Sequence, residues 1–464
     1  MDFSGLKYIY MIGVGGIGMS AIARYFKHSG KTVYGYDKTK TLLTDELIRE
    51  GIDIHFNDDV SFIPEILLKD ENIHETLVIY TPAISSDHKE LQFFRSLYYS
   101  VFKRAEILGF ITNKYRCIAV AGTHGKTTIT AMIAHILKLT DEGCTAFIGG
   151  ISKNYNTNFL FSDKPQYIVV EADEYDRSFL KLNPEIAVIS SIDADHLDIY
   201  GTKNEVILAF NQFAEKIQLN GKLFIKSGLD VAVPETIQKY SYSVNDYNSD
   251  FYICKTQKLN QCYRFDVRKN TGEIYKIELK VPGLYNVENA LVAFSVGMSI
   301  GLNPDIVIKG LESFSGIKRR FDYQINDKVI MIDDYAHHPR EIRACLESVR
   351  DIYPDRRITG IFQPHLYSRT RDFADEFSES LNLLDNLILL DIYPAREIPL
   401  NNVTSKLIYD KVKIKNKKLI LKSDLIDELD NQDIDVLVTM GAGDIDQLIE
   451  PIKQKLIIKY NIKK

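Results

Sequence analysis

Cysteine is scarce in this sequence, and the few cysteines do not follow the pattern of a structural site. Five cysteines are scattered over 464 residues, and none of them forms a C-x-x-C pair. A disulfide framework needs an even set, and a cysteine-based zinc site needs closely spaced ligands. The pattern therefore argues against both kinds of site and favours reduced thiols.

An excess of basic charge and long apolar runs are also missing. The formal net charge is -6 at pH 7, whereas sequence-independent nucleic-acid binding needs a basic surface. No apolar run is long enough to span a bilayer. The opening "MDFSGLKYIYMIGVGG" has an acid at its second position and soon turns glycine-rich, which predicts a first strand and not a signal peptide. We therefore expect a cytoplasmic protein with no nucleic-acid or membrane partner.

What the chain does contain is a regular alternation of strand-like and helix-like segments. Hydrophobic residues make up 45% and charged residues 26% of the sequence, as in ordinary globular proteins. The length suits about three domains of roughly 150 residues each. Between 249 and 282 the pattern changes to short alternating runs, which predict a small antiparallel insertion. The predicted fold class is α/β, with largely parallel sheets flanked by helices.

A first glycine-rich turn, "GVGGIG", follows the first predicted strand. It includes Gly15, Gly16, Ile17 and Gly18, and Asp37 ends the next strand. In the dinucleotide fingerprint, the glycines let the backbone approach a diphosphate, and an acid about 20 residues later binds a ribose hydroxyl. An NAD-dependent dehydrogenase is one reading. Another nucleotide diphosphate would fit the same amides, and a tight turn without a ligand is the third possibility.

A second glycine-rich turn, "VAGTHGKTT", resembles a phosphate-binding loop that lacks its first glycine. Val120 stands where the pattern G-x-x-x-x-G-K-[ST] has that glycine, and Gly122 comes two residues later. The chemically active residues are present, because Gly125 frees the backbone, Lys126 reaches the β- and γ-phosphates, and Thr127 offers a hydroxyl to Mg²⁺. A strand precedes the turn and a helix follows it, so we predict an ATP site. The binding segment consists of Gly122, Thr123, His124, Gly125, Lys126, Thr127 and Thr128.

Two groups of carboxylates follow later strands. The run "YIVVEADEYD" places Glu171 and Asp173 on one face, since side chains alternate along a strand, and "SSIDADHLDIY" carries His196 between two aspartates. The ends of strands in open α/β sheets are where ligands bind. Solvated turns are the simpler interpretation. We predict a metal site with Glu171, Asp173 and Glu174 as candidate ligands, and His196 is a candidate ligand for a second cation.

Taken together and in order, these motifs resemble those of the Mur ligases of peptidoglycan synthesis. The resemblance runs from about Ile12 to Gly443. Within the family, the sequence is most similar to members that join L-alanine to UDP-N-acetylmuramate. The motifs that carry the resemblance are "GVGGIGMS", "GTHGKTT", "EADEYD", "DADHLD", "GLYNVENA", "GIKRRF", "DDYAHHP", "FQPHLYSRTRDF" and "DIYPARE".

The resemblance implies three domains and one reaction. Residues 1–108 would form a Rossmann-like domain for the UDP-substrate, residues 109–320 a central ATP-binding domain of P-loop type, and residues 321–464 a Rossmann-like domain for the amino acid. The substrates would be UDP-N-acetylmuramate, ATP and L-alanine, linked through an acyl phosphate. The expected state is a monomer or a weak homodimer.

The resemblance also assigns residues to roles. Lys126, His337 and Arg369 would be catalytic, and Thr127, Glu171 and His196 would be the protein ligands of Mg²⁺ or Mn²⁺. Asn286 and Asn289 would contact adenine, Asp334 would hold the ribose, and Arg319 would face anionic groups. The expected UDP-substrate residues are Gly15, Gly16, Ile17, Gly18, Asp37, Thr81 and Ser85, and the expected amino-acid residues are Tyr335, His337, Arg369 and Arg371.

Departures from the family pattern keep alternatives open. Tyr285 stands where a histidine commonly precedes the adenine-contacting asparagine, so base stacking would differ. A ligase that recycles a whole tripeptide onto UDP-N-acetylmuramate has related motifs, although the "GVGGIGMS" opening favours the alanine enzyme. A nucleotide-gated binding protein is a further alternative. For a dehydrogenase, the GKTT segment would have no use.

Overall fold

The computed structural model describes residues 1–141, 143–193, 197–259, 261–395 and 397–462. The chain divides into two compact units. The first comprises Met1–Thr256, Phe265–Glu278 and Glu288–Phe314, and the second comprises Gln257–Arg264, Leu279–Val287 and Ser315–Lys464. Over the described ranges, no helix combines the length and the apolar character needed to cross a membrane.

The chain begins with a five-stranded parallel sheet. Its strands are β1 (Tyr8–Ile12), β2 (Thr32–Tyr36), β3 (Asp53–His55), β4 (Thr76–Tyr80) and β5 (Ser100–Lys103), and its helices are α1 (Ile17–His28), α2 (Leu42–Arg49), α3 (Lys89–Ser96) and α4 (Arg104–Thr112). The strand order is β3-β2-β1-β4-β5, and the pairs are parallel. The order reverses between β1 and β4, and such a switch point is where open α/β sheets bind ligands.

Helix α1 shows why this region folds as it does. Met19, Ile22, Ala23 and Phe26 are buried, and their spacing of three and four residues places them on one helical face. That face packs into the core of the sheet, where Phe26 meets Phe3 edge to face at 5.3 Å between ring centroids. Burial of this apolar face fixes α1 against the sheet, and the glycine turn at its N-terminus is thereby held at the end of β1.

A ten-stranded sheet follows, with the order β15-β14-β13-β12-β11-β10-β6-β9-β7-β8. Its strands are β6 (Arg116–Ala121), β7 (Cys144–Ser152), β8 (Thr157–Leu160), β9 (Tyr167–Glu171), β10 (Ile186–Ile189), β11 (Lys222–Lys226), β12 (Gln238–Ser243), β13 (Phe251–Leu259), β14 (Cys262–Lys269) and β15 (Ile274–Leu279). The helices of this region are α5 (Lys126–Lys138), α6 (Leu197–Tyr200), α7 (Lys203–Glu215), α8 (Leu284–Ser299) and α9 (Pro304–Ser313). Strand β6 lies between β10 and β9 and is parallel to both. The carboxyl ends of these three strands therefore meet at one edge.

The three strands predicted as an insertion are present as β13, β14 and β15. They extend the ten-stranded sheet at its edge, because β12 pairs with β13 in parallel. The change in sequence pattern after residue 249 thus marks the point at which these three strands join the edge of the same sheet.

The C-terminal region contains a six-stranded sheet in the order β16-β17-β21-β18-β19-β20. Its strands are β16 (Asp322–Asn326), β17 (Ile330–Asp334), β18 (Ile358–Phe362), β19 (Asn386–Leu389), β20 (Asn416–Leu419) and β21 (Val436–Met440), and its helices are α10 (Pro339–Ile352), α11 (Tyr367–Asp372), α12 (Ala374–Leu381), α13 (Lys406–Tyr409), α14 (Leu425–Glu428) and α15 (Ile449–Tyr460). In the part of the chain that the structure describes, β16 pairs with β17 antiparallel and the other strand pairs of this sheet are parallel. The predicted α/β fold class is confirmed.

A buried polar cluster lies beside the N-terminal sheet. The Tyr10 hydroxyl donates to Glu90 Oε2 at 2.8 Å and lies 2.8 Å from His55 Nε2. Glu90 is fully buried, and this burial raises its pKa to about 7, against the opposing effect of the Tyr10 hydrogen bond. Burial lowers the pKa of His55 and of His88, which lies 3.2 Å from Asp58. These groups therefore link the stability of the first unit to pH.

Replacing Glu90 with glutamine is expected to stabilise the protein at alkaline pH. The folded Glu90 holds its proton up to about pH 7, whereas the unfolded side chain loses it near pH 4.5, so its contribution to stability falls as the pH rises between these values. Glu90→Gln should therefore exceed the unfolding free energy of the native protein by less than about 1 kcal/mol at pH 5 and by about 3 kcal/mol at pH 8. Urea unfolding at both pH values measures this difference, and the histidines, which favour folding as the pH rises towards 6.5, cancel in the comparison. An equal difference at both pH values would contradict the assignment.

Candidate active site

The shortened turn after β6 has backbone angles that require its glycines. Gly122 has φ +134° and Gly125 has φ +84°, a region that residues with a Cβ rarely adopt. A Cβ on Gly125 would also lie 2.7 Å from the Asn289 side-chain oxygen. Val120, at the position of the missing glycine, is fully buried in β6. The turn thus begins at Gly122 and ends at Gly125, the residue that caps α5.

The turn is held in place by the segment that follows β10. The Ser191 hydroxyl lies 2.9 Å from Thr123 Oγ1 and accepts the His124 amide at 2.8 Å. The Asp193 amide donates to Thr123 Oγ1 at 3.1 Å, and the Asp193 carboxylate lies 3.0 Å from His124 Nε2. The turn is therefore fixed by the neighbouring strand as well as by its own glycines.

Lys126, the first residue of α5, is enclosed by oxygen atoms. Its Nζ donates to the Gly122 carbonyl at 2.7 Å and lies 2.9 and 2.8 Å from the two carboxylate oxygens of Glu174. Burial alone would lower the pKa of Lys126, but Glu174, followed by Glu171 and Asp173, raises it above its ordinary value. Lys126 is therefore a fixed ammonium at the N-terminus of α5, where anions bind favourably.

Thr127 and Glu171 present two oxygen donors side by side. The Thr127 hydroxyl donates to Glu171 Oε2 at 2.7 Å, and Glu171 ends β9 opposite Val120 of β6. Hydroxyl and carboxylate oxygens suit Mg²⁺, which takes few protein ligands and keeps waters and phosphate oxygens as the others. Within the described ranges, no group of three histidine, cysteine or acidic residues is placed to hold a metal. His196, the third predicted ligand, lies outside these ranges.

The first glycine turn is locked by Asp37. Its carboxylate accepts the Gly15 amide at 2.8 Å and the Thr39 amide at 3.0 Å. Gly13 has φ +86° and packs against Thr81, whose amide donates to the Ile12 carbonyl at 3.2 Å. Thr81 is therefore part of the turn's surroundings, and Asp37 holds the turn itself.

Arg104 lies against the same glycine turn. A Cβ on Gly18 would come within 2.7 Å of an Arg104 guanidinium nitrogen, and the other terminal nitrogen lies 3.2 Å from Asp173. The preceding Lys103 pairs with Asp176 at 3.1 Å. Arg104 thus connects the first glycine turn with Asp173, and Lys103 adds a second ion pair to the same acidic segment after β9.

A cavity of about 310 Å³ opens beside this region. Its walls include Tyr80, Ile84, Ser86, Arg95 and Lys103. Ser85, one of the predicted substrate residues, is exposed and donates its hydroxyl hydrogen bond to Asp87. Its neighbours Ile84 and Ser86 line this cavity at the switch point.

The asparagines of "GLYNVENA" have different surroundings. Asn286 is buried and donates from its amide nitrogen to the Pro282 carbonyl at 2.6 Å. Asn289 lies against Gly125, in the turn before α5. The structure thereby places Asn289 beside the predicted phosphate site.

In the second unit, Asp334 ends β17 with its carboxylate engaged by backbone amides. It accepts from Phe321 at 2.7 Å and from Ala336 at 2.8 Å. Burial raises the pKa of Asp334 to about 6, while the charge of Arg320 opposes the increase. The carboxylate thus fixes the chain reversal at the end of β17.

Tyr335, the next residue, has two guanidinium groups beside its ring. Arg319 and Arg320 lie 5.3 and 5.1 Å from the ring centroid. Arg319 also donates to Asp333 at 3.0 Å and to the Gly441 carbonyl at 2.7 Å. Arg319 is therefore held by the sheet, with its positive charge next to Tyr335.

Three of the residues predicted to bind the amino-acid substrate, Tyr335, His337 and Arg369, are connected through His365. The His337 ring lies 5.2 Å from the Tyr335 ring and 6.1 Å from the His365 ring, centroid to centroid. Arg369 Nη1 lies 3.5 Å from His365 Nδ1. His337 Nδ1 is also 3.2 Å from Glu341. Arg371 lies apart, because it is half exposed and pairs with the adjacent Asp372 at 2.6 Å.

Models of known protein families match most of the residues of this chain. Residues 8–116 match the Mur ligase family, catalytic domain, residues 120–297 the Mur ligase middle domain, and residues 319–443 the Mur ligase, glutamate ligase domain. The chain belongs to the Mur ligase family. This membership confirms the resemblance and the expected class of enzyme, an ATP-dependent amide-bond-forming ligase.

Two curated relatives align along nearly the whole of this Mur ligase. A UDP-N-acetylmuramate–L-alanine ligase of Christiangramia forsetii is 46% identical over 457 residues, which is 98% of this chain and 99% of the relative. A ligase of the same name from Parabacteroides distasonis is 47% identical over 459 residues, 98% of each chain.

Solved structures of Mur ligases share the fold. The UDP-N-acetylmuramate–alanine ligase of Thermotoga maritima superposes with a TM-score of 0.80 at 28% identity, over 98% of this chain and 100% of that one. A murein peptide ligase of Psychrobacter arcticus gives 0.71 at 23% identity, over 99% of each chain, and shows the fold alone.

Several residues of this Mur ligase site were missed by the sequence interpretation. Ser191 and Arg104 are not predicted, because each acts by contacting a distant segment. The sequence names Glu174 among the candidate metal ligands, whereas the structure pairs it with Lys126. His365, stacked on Tyr393 at 5.7 Å, lies between the predicted His337 and Arg369. Position in "FQPH", directly after a buried strand, was the available signal for His365.

Proposed function

We propose that this Mur ligase joins L-alanine to the lactyl carboxylate of UDP-N-acetylmuramate while ATP is converted to ADP and phosphate. The observation that carries the proposal is the single turn at which the Lys126 ammonium stands next to the Thr127–Glu171 oxygen pair. The two named relatives that cover nearly the whole chain support the choice of substrates.

The chemistry requires activation of the carboxylate. An oxide cannot leave a carboxylate that an amine attacks at neutral pH, so a carboxylate oxygen first attacks the γ-phosphorus and ADP leaves. The amine of alanine then attacks the acyl carbon of the acyl phosphate, the tetrahedral intermediate expels phosphate, and the amine loses a proton. Both steps gather negative charge, so positioning and charge stabilisation are the main contributions of the protein.

Each residue contributes a defined part. Lys126 binds the transferred phosphoryl group. Thr127, Glu171 and His196 would hold Mg²⁺ or Mn²⁺, which would neutralise phosphate charge. His337, with its Nδ1 near Glu341, orients the amine or accepts its proton, and Arg369 binds the carboxylate of alanine or the departing phosphate.

The proposal assigns the substrates to three domains. Residues 1–108 bind the UDP end through the turn that Asp37 locks, residues 109–320 bind ATP, and residues 321–464 bind alanine through Tyr335 and His337. The reaction takes place in the cytoplasm, where ATP and UDP-sugars are available. The acting form is a monomer or a weak homodimer.

The test is an incubation with UDP-N-acetylmuramate, ATP and Mg²⁺, with either L-alanine or the tripeptide as the amine. Phosphate release and the mass of the product are followed. We expect release only with alanine and a product heavier by one alanyl residue. Phosphate release with the tripeptide, or none with alanine, would refute the proposal.

Replacing Asn286 with alanine is expected to raise the KM for ATP by about tenfold and to change the KM for alanine by less than about twofold, as for loss of one or two hydrogen bonds to the base. Steady-state kinetics with each substrate varied in turn measures both constants. The opposite order of effects would place the adenine site elsewhere.

A further inference from the structure

The Lys126 ammonium contacts several oxygen atoms of the protein itself. The ammonium contacts the Gly122 carbonyl and both oxygens of Glu174, at 2.7 to 2.9 Å. An incoming β- or γ-phosphate also needs this ammonium. The carboxylate of Glu174 therefore stands at Lys126 in a position that a phosphate oxygen has to take.

Glu174 is firmly built into this position. It is 1% exposed, and its backbone carbonyl accepts a hydrogen bond from the Tyr200 hydroxyl at 2.6 Å. The residue before it, Asp173, is paired with Arg104. The backbone of Glu174 is thus held by Tyr200 and by the ion pair of the preceding residue.

The backbone just after Glu174 is strained. Asp176 and Arg177 have φ of 54° and 53°, in the left-handed region, which costs on the order of 1 kcal/mol for a residue with a Cβ. Two consecutive residues of this kind are maintained by their contacts, among which the Lys103–Asp176 pair is visible. Loss of these ion pairs would therefore allow Asp176 and Arg177 to relax to backbone angles of lower energy.

Glu171 and Glu174 face different partners although they are three residues apart. Glu171 accepts from Thr127, the residue expected to bind the metal, whereas Glu174 contacts the lysine. The two carboxylates thus separate a metal-binding role from a lysine-pairing role.

We propose that Glu174 is the resident counter-ion of Lys126, which occupies the lysine before ATP binds and yields it to the terminal phosphates. The inference rests on the proposed ATP site and adds a positioning residue to it. The exchange breaks the Glu174–Lys126 pair and forms a phosphate–Lys126 pair, and no covalent bond changes. ATP binding therefore has to compete with a carboxylate of the protein itself.

A neutral side chain at position 174 removes this competitor. Glu174→Gln is expected to bind ATP about tenfold more tightly in the presence of EDTA, where the nucleotide charge is not masked by a metal. A residue with a purely structural role would weaken binding or leave it unchanged when altered. The gain in affinity is therefore specific to the proposed role.

Asp176→Asn is the matched control, because it removes one negative charge from the same segment and asparagine accepts the left-handed backbone at this position. Its affinity for metal-free ATP is expected to stay within about twofold of the native value, since Asp176 pairs with Lys103 and not with Lys126. A general loss of negative charge would tighten ATP binding equally in both variants. Equal tightening would overturn the proposal.

The experiment is calorimetric titration of the full-length protein with ATP in EDTA, for the native chain and both variants. Binding of UDP-N-acetylmuramate to each variant reports that it is folded. Should Glu174→Gln not fold, Glu174→Asp replaces it, because the shorter side chain cannot keep both contacts to Lys126, and a smaller gain is then expected. Unchanged or weaker affinity in the folded variant overturns the proposal.

The outcome is independent of the amine substrate. If the native protein binds ATP and Glu174→Gln binds it more tightly, the inference holds even when alanine is not ligated. If alanine is ligated and Glu174→Gln binds ATP like the native protein, the counter-ion role alone is wrong.

Discussion

Replacing Lys126 with alanine is expected to abolish acyl-phosphate formation and to leave UDP-N-acetylmuramate binding nearly unchanged. Lys126 is the ammonium of the shortened turn, and phosphoryl transfer depends on such charges at the transferred group. We expect the rate of ADP formation to fall by about 10³-fold or more. Retained ATP-dependent ligation would refute the assignment of Lys126.

The same variant also affects stability, and this effect has to be separated from catalysis. Removal of the ammonium leaves the buried Glu174 carboxylate without this cation, a change that destabilises proteins by about 3–5 kcal/mol when the pair is buried. The double variant Lys126→Met with Glu174→Gln removes both charges. It should recover most of the stability in urea unfolding but none of the ligase activity, which separates the two effects.

Replacing Glu171 with glutamine is the second change with a large expected effect. Glu171 supplies the carboxylate of the oxygen pair with Thr127, and a neutral amide is a much weaker ligand for Mg²⁺. The expected result is a fall in kcat/KM of about 10³-fold and a higher Mg²⁺ concentration for half-maximal rate, since a metal clamp at phosphoryl groups provides several kcal/mol. Rates measured over a Mg²⁺ titration check both values.

Two substitutions at Thr127 provide the control for this assignment. Thr127→Ser keeps the hydroxyl and should retain most of the activity, while Thr127→Val removes the hydroxyl without changing the volume greatly and should lose most of it. Chelation by EDTA should stop the native reaction. If Glu171→Gln kept the native dependence on Mg²⁺, the metal would have to be bound elsewhere.

The local geometry that the sequence predicts correctly is that of residues that are neighbours along the chain. Gly122, Gly125, Lys126 and Thr127 lie within six consecutive positions, so their spacing alone places them on a turn between strand and helix. The observed φ values of both glycines agree with that prediction. Local geometry of this kind can be read from one sequence.

The parts that sequence reasoning missed come from segments that meet only in the folded chain. Ser191 reaches the turn because β10 lies next to β6, and Arg104 reaches Gly18 from the start of another helix. Strands β3 and β5 were not predicted either, because runs of three and four residues carry little periodicity.

The position of Val120 in β6 has a consequence for what holds the neighbouring turn in shape. Val120 is buried in the strand, so the turn spans only residues 122–125 and takes its support from elsewhere in the chain. The Ser191 hydroxyl, from the segment after β10, contacts Thr123 and accepts the His124 amide, and Asn289 lies against Gly125. We therefore expect substitutions at Ser191 or Asn289 to alter ATP affinity, although neither residue belongs to the phosphate-loop pattern.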